Sequence, residues 1–386
     1  MKIAYVTTYD ARSLTSSNAW SGTGYYIAQA LKKQSLPLEY LGPLDDSILL
    51  KSTRKLKRHY CELFHKKNYQ KNSDPWTLRS YANQVSKKLK GTKTDVVFSA
   101  TTDPVAYLEC DQPVVFWADA TFANIQDFYP QYSNLCEHVI CDWHQMERLA
   151  LQKCKLAIYS SDWAAQSAVQ DYGADPAKVK VVPFGSNTES PFTHSTIKDV
   201  IESRPTDRCK LLFLAVDWFR KGGDIAYQVA DTLNRTGLKT ELTIVGCEPM
   251  VEAPIPAFVR PLGFISKSTA EGKAKIQKLI LESHFLILPT MADCTPIVFC
   301  EANSLGVPCL STTVGGVPTM VCNDVNGQLF SKEADITEYC DYIQRLFTNY
   351  LDYKHLALSS FNEYQSRLNW SVAGQTVKKM LMNVVP

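Results

Sequence analysis

Short apolar runs, each closed by Gly, Pro, Asp or Ser and most followed by a longer stretch with helical spacing, recur along this chain. Runs such as Ile3–Thr7 and Phe285–Leu288 are apolar at successive positions, the pattern of strands buried on both faces of a sheet. Alternation with helices makes the units β-α and the sheets parallel. In the first half the spacing predicts strands at Ile3–Thr7, Leu38–Leu41, Val96–Ala100, Val114–Trp117, Leu156–Ser160 and Val179–Val182. Helices are expected near Tyr25–Lys33, Trp76–Lys90, Cys136–Lys153 and Trp163–Tyr172. The second half restarts the pattern, with strands at Leu211–Val216, Glu241–Val245, Val259–Leu262, Phe285–Leu288 and Val307–Ser311. Helices near Asp224–Asn234, Lys273–Glu282 and Ile297–Leu305 alternate with them. Phe184–Arg208 is rich in Ser, Thr, Pro and charge and reads as the boundary. Two doubly wound Rossmann-like α/β domains follow, 1–185 and 186–369, with 370–386 a last helix expected to pack back on the first.

The 41 Lys and Arg against 39 Asp and Glu leave a net charge of +2, far from the basic balance of a nucleic-acid binder, so no nucleic-acid partner is expected. The 12 cysteines are scattered from Cys61 to Cys340 without Cys-x-x-Cys or a Cys/His group at zinc spacing, and read as reduced core residues. No apolar stretch has the length of a signal peptide or of the roughly 18 residues a membrane span needs, so a cytoplasmic protein is expected.

The most informative stretch runs from Ala292 to Pro308. Asp293 follows a buried strand, Glu301 lies beyond seven intervening residues inside the next helix, and Gly306-Val307-Pro308 turns into another strand. The chain here resembles the retaining glycosyltransferases of family 4, whose fold, GT-B, has two Rossmann-like domains facing across a cleft. The resemblance implies that Glu301 takes the ribose of a nucleotide diphosphate sugar and Asp293 the transferred sugar. Thr295, Pro296, Ile297 and Val298 would lie along the donor, with amides of the helix start aimed at its phosphates. Asp stands where the family usually has Glu, and Thr295-Pro296 replaces a common Phe-Gly. A plainer reading makes Asp293 a helix cap and Glu301 a solvated helix residue.

Arg220-Lys221-Gly222-Gly223 follows a strand and precedes a helix, where cations and close backbone approach suit phosphate oxygens. It resembles the family's Lys-Gly element, which gives Lys221 and Arg220 the departing diphosphate; an exposed basic turn is the alternative. Gly263 and Phe264 resemble the segment beside the nucleobase, or a plain strand end. Gly315-Gly316-Val317-Pro318 resembles a turn of the site. Gly22, Thr23 and Gly24 match the family's glycine-rich loop near the donor phosphate or acceptor, and they lack the spacing of a dinucleotide fingerprint. Asp119 ends a strand where many relatives have His; it binds a sugar hydroxyl or caps a helix. His138 and His144 read as surface or packing residues. The segment 51–71 sets Lys and Arg beside Leu56, Tyr60, Leu63 and Phe64 at helical spacing. Its apolar stripe packs on the core, the favoured reading, or meets the inner face of a membrane.

The expectation is therefore a retaining transferase that moves a sugar from a nucleotide diphosphate donor to a glycan, lipid-linked or other hydroxyl acceptor. The resemblance implies a front-face mechanism; no cofactor is expected, and no metal, since no Asp-x-Asp motif ends a strand. The competing readings are a nucleotide-sugar 2-epimerase of the same fold and a non-catalytic nucleotide-sugar-binding or scaffold member.

Overall fold

The computed structural model describes residues 1–14, 19–252 and 254–385. The chain forms two units, Met1–Pro183 with Ala373–Pro386, and Phe184–Val372. Unit 1 contains β1 (Ile3–Val6), β2 (Leu38–Tyr40), β3 (Val96–Ser99), β4 (Val114–Ala118), β5 (Leu156–Tyr159) and β6 (Val179–Val181). They make a parallel six-stranded sheet in the order β2-β1-β3-β4-β5-β6. The four central strands are buried at every position, as their unbroken apolar runs require, while β2 and β6 are half-exposed edges carrying Glu39 and Lys180.

Unit 2 contains β7 (Cys209–Leu214), β8 (Thr240–Val245), β9 (Val259–Pro261), β10 (Phe285–Leu288), β11 (Cys309–Thr312) and β12 (Gly327–Phe330). This parallel sheet runs β12-β11-β10-β7-β8-β9. Phe213, Phe285 and Phe299 are fully buried in its core, each contributing roughly 1.5–3 kcal/mol of transfer free energy. In both sheets the strand order reverses once, between β1 and β3 in unit 1 and between β7 and β10 in unit 2. Such reversals leave a crevice beyond the carboxyl ends of the two strands, because their crossovers leave on opposite faces. In unit 2 the loops at that place carry Arg220-Lys221 and Asp293.

The structure departs from the sequence reading in several places: the second unit runs from Phe184 to Val372 rather than 186–369, and helices Ile336–Thr348 and Tyr350–Ser366 were not foreseen. Phe184–Arg208 is not all linker: helix His194–Glu202 forms inside it, capped by Thr193, and buries Ile197 and Ile201 one turn apart. The helix expected at Ile297–Leu305 ends at Asn303, whose amide turns to the carbonyls of Val307 and Asn326. Edge strand β12 has only four residues and begins with Gly, too weak a pattern to read. The last helix spans Trp370–Met382; within unit 1, a Cβ at Gly374 would come within 2.6 Å of the Ala30 carbonyl oxygen.

Candidate functional site

The loop after β7 is built around its two glycines. Gly222 has φ 75°, the left-handed region, and a Cβ there would stand 2.1 Å from the Pro289 carbonyl oxygen. A Cβ on Gly223 would lie 2.3 Å from the buried ring of Trp218. No other residue type lets the chain pass this close to the β10 loop. The two loops are then laced together: Met291 N–H donates to the Arg220 carbonyl at 2.7 Å, and Arg220 Nη1 donates to the Ala292 carbonyl at 2.9 Å. Asp217 accepts from Arg220 N at 3.1 Å and Nε at 3.2 Å, fixing the guanidinium from the other side.

Lys221 reaches Asp293 and forms an ion pair with it, both side chains mostly buried. Lys221 is therefore not an exposed basic turn. Nor is Asp293 a helix cap: Pro296 precedes helix Ile297–Asn303 with no side-chain cap, and the Asp293 carbonyl accepts from Gly316 N–H at 3.1 Å. That bond brings the Gly315-Gly316 turn to the site. Pro296 is buried and Thr295, Ile297 and Val298 are half-buried. Phe299 N–H takes the Pro296 carbonyl at 3.0 Å, whereas the amides of Ile297 and Val298 fall in the first turn, where no i−4 carbonyl exists.

Glu301 is 2% exposed, not solvated, and pairs with Lys267 from the loop after β9. Lys267 escaped the sequence reading; its only signal is a lone cation three residues beyond Phe264. Gly263, at φ 63°, accepts at its carbonyl from Gly246 N–H at 2.9 Å, and Phe264 is 72% exposed beside it. Unit 2 thus presents two carboxylates from one stretch of chain, each with its own ammonium, and an exposed aromatic ring at a strand end.

In unit 1, Gly22 has φ 80° and precedes helix Thr23–Lys33. The Tyr5 hydroxyl donates to the Gly24 carbonyl at 2.6 Å, and a Cβ on Gly24 would meet the Tyr9 hydroxyl at 2.2 Å. Asp119 accepts from Trp20 Nε1 at 2.9 Å, so it joins the glycine-rich segment; the helix cap of that loop is Thr121. Residues 15–18 lie outside the described residues. Sequence reasoning also missed Asp103 and Glu147. Thr102 Oγ1 donates to Glu147 Oε1 at 2.8 Å, and burial, with the charge of Asp103, pushes the Glu147 carboxyl up to about 8. Burial raises Asp103 to about 6. Their only trace in the sequence is an acidic residue after β3 and another on an apolar helix face. His144 is a packing residue, within 2.9 Å of the Tyr172 hydroxyl and edge-on to Phe122.

Helix Ile48–His65 contradicts the favoured reading of its segment. Leu56, Tyr60, Leu63 and Phe64 are 71%, 52%, 60% and 75% exposed, and Ile48 and Leu49 are more so. The buried face instead carries Cys61 and Arg54, the latter paired with Asp46 at 2.5 Å. Among the described residues no helix is long and apolar enough to cross a membrane.

Residues 208–349 match the sequence profile of the family described as glycosyl transferases group 1. A D-inositol 3-phosphate glycosyltransferase of Xylanimonas cellulosilytica is 25% identical over 176 residues, which are 43% of this chain and 42% of that relative. The matched stretch thus spans less than half of either protein. Among solved structures, a sucrose-phosphate synthase from Thermosynechococcus elongatus aligns at TM-score 0.66 and 13% identity, covering 99% of this chain and 98% of its own. HepE of Anabaena, in complex with UDP-glucose, aligns at TM-score 0.62 and 16% identity, covering 99% and 100%. At these identities the likeness is one of fold.

Proposed function

We propose, on the premise that this chain is a group 1 glycosyltransferase of the GT-B type, that it moves a sugar from a nucleotide diphosphate donor to a hydroxyl acceptor with retention of anomeric configuration. One observation carries the reading: Lys221, Arg220 and Asp293 converge where the strand order of the unit 2 sheet reverses. The ammonium of Lys221 and the carboxylate of Asp293 neutralise each other. A diphosphate would draw the ammonium to its oxygens, releasing the carboxylate to accept from sugar hydroxyls. Lys267 occupies Glu301 Oε2, which leaves Oε1 for a ribose hydroxyl.

During transfer the bond between the anomeric carbon and the phosphate oxygen breaks, and the acceptor oxygen forms the new glycosidic bond. The acceptor proton passes to the leaving phosphate. Lys221, with Arg220 beside it, meets the charge that develops there, each such charge-assisted hydrogen bond being worth roughly 1.5–3 kcal/mol. The residues supply positioning and electrostatics, with no cofactor and no metal in the step. In unit 1, Asp119 and the Gly22–Gly24 segment are the candidates for acceptor or donor contact. The exposed apolar side chains and the cations of helix Ile48–His65 suit an anionic bilayer surface, and hence a lipid-linked acceptor. HepE, whose structure is a complex with UDP-glucose, supports a nucleotide-sugar donor, and the D-inositol 3-phosphate glycosyltransferase supports sugar transfer.

Thermal unfolding against a panel of nucleotides and nucleotide sugars tests the donor site. A ligand at a hundred times its dissociation constant stabilises the native state by about 2.7 kcal/mol, a readable shift. One nucleotide series should raise the midpoint of the wild type and fail with Lys221→Ala and Glu301→Ala, and the best sugar nucleotide should support transfer to an added acceptor with the anomer retained. Absence of any shift in folded protein would refute the donor site. Binding without transfer or hydrolysis would leave a nucleotide-sugar-binding protein, and conversion without acceptor a 2-epimerase.

A further inference from the structure

Away from the donor site, three soft or borderline ligand atoms meet in unit 1. Cys61 comes from the buried face of helix Ile48–His65, Cys136 is the residue before helix Glu137–Lys153, and His138 lies in the first turn of that helix. Their two Sγ atoms and one imidazole nitrogen lie within 4.8 Å of one another, with Cys61 Sγ 3.9 Å from His138 Nε2. We propose that Cys61, Cys136 and His138 form a zinc site, with solvent at the fourth position on the side where His138 is exposed.

The donor set is the first reason. Two thiolates and an imidazole match Zn²⁺, whereas Mg²⁺ and Ca²⁺ take oxygen ligands. Distance is the second. A tetrahedral ion with Zn–S about 2.3 Å and Zn–N about 2.0 Å sets neighbouring ligand atoms roughly 3.6 Å apart; Cys61 Sγ and His138 Nε2, at 3.9 Å, lie close to that spacing, and with all three atoms within 4.8 Å of one another a side-chain adjustment of about an ångström brings the set onto one ion. Preorganisation is the third. The two segments are stitched in register before any ion arrives: Asn68 N–H donates to the Asn134 carbonyl at 2.8 Å, Cys136 N–H to the Asn68 carbonyl at 3.3 Å, and Asn134 Nδ2 to the Lys66 carbonyl at 3.0 Å. Both thiols are buried against apolar neighbours, and the exposed edge at His138 gives an entry path. Asp142, one turn beyond His138, adds a negative charge that favours a bound cation.

On binding, both thiols lose their protons to solvent and His138 coordinates as the neutral ring, so one Zn²⁺ releases two protons and leaves the bound set neutral. The ion would clamp helix Ile48–His65, whose other face is the exposed apolar one, to helix Glu137–Lys153. This site is separate from the transfer reaction and stands or falls independently of it. The cluster was invisible in sequence because its members are two residues and 75 residues apart in the chain.

The test uses the untagged full chain, reduced, stripped with chelator and then given zinc alone, or cobalt alone. After dialysis the protein should retain one zinc per chain, and the cobalt form should show the intense visible bands of a tetrahedral site with a thiolate charge-transfer band. Cys136→Ser and His138→Ala should each weaken zinc binding by at least tenfold and change the cobalt spectrum. Should the buried cysteine variants fail to fold, His138→Ala and the wild-type cobalt spectrum still decide. No retained zinc, unchanged affinity in the variants, or a Cys61–Cys136 disulfide in non-reduced peptide maps of the freshly isolated protein would overturn the proposal.

Discussion

Lys221 and Asp293, at 14% and 11% side-chain exposure, make a pair whose halves have unequal consequences when removed. Lys221→Met leaves a carboxylate largely out of water without a partner, which should destabilise unit 2 by about 3 kcal/mol. Adding Asp293→Leu removes the stranded charge, so the double variant should recover most of that loss in urea titration while transfer activity remains absent. Recovery of activity along with stability would mean that the pair is structural only. The cation was legible because a Lys-Gly pair directly after a buried strand leaves few other uses for both residues. Lys267 was not legible, since its meaning lies in meeting Glu301, 34 residues away, and a lone lysine between serines gives no hint of that.

At the scale of elements, the turn at Gly222 sets where Lys221 points. Gly222→Ala asks a side-chain-bearing residue to adopt φ 75° and puts its Cβ 2.1 Å from the Pro289 oxygen, so the loop must move off β10. Nucleotide affinity and kcat/KM should each fall more than tenfold while circular dichroism stays native. Gly237→Ala is the control, with φ 101° but nothing within 4 Å of the added carbon; it should cost stability and leave nucleotide affinity unchanged. Equal effects of the two would show that strain alone, not the approach to β10, governs the site. The central strands were readable because burial on both faces forces unbroken apolar runs. Helix His194–Glu202 was hidden because its apolar stripe is short, with Ile197 and Ile201 buried and Val200 half-buried amid polar residues. The outward stripe of helix Ile48–His65 shows a sharper limit: periodicity reports that a helix has an apolar face, and says nothing of what the face meets.

For the whole molecule, one pattern run twice sufficed to read two sheets, but the sequence holds no sign that burial shifts Glu147 in unit 1 up and His284 in unit 2 down. In unit 1 the Glu147 carboxyl is raised from 4.5 to about 8, chiefly by burial and then by Asp103, itself raised to about 6. The unfolded chain ionises at Glu147 above pH 4.5 and the folded one does not until about 8, so unit 1 loses stability as pH rises through that window. The loss approaches the order of 4 kcal/mol. The carboxyls of Asp46 and Asp74 are lowered, largely through hydrogen bonds from Arg54 and Lys57 that outweigh burial, and act only in more acid solution. In unit 2 burial, then the charge of Arg204, lowers His284 from 6.5 to about 3. Its ring accepts from Lys210 N–H at Nδ1, so the Nε2 proton serves the Pro205 carbonyl and the Tyr350 hydroxyl. Here the unfolded chain takes a proton below pH 6.5 that the folded ring refuses, and unit 2 loses about 2 kcal/mol by pH 5. Moving from pH 8 to pH 5 should therefore stabilise unit 1 and destabilise unit 2. Hydrogen exchange, corrected for intrinsic rates, should show the opening free energies of β1 and β3 rising while those of β7 and β10 fall. Glu147→Gln, which keeps the acceptor for Thr102 and cannot ionise, should reduce the first trend to the smaller part that Asp103 contributes and leave the second unchanged. Parallel trends in the two sheets of the wild type would refute the assignment of these two groups as the controlling ones.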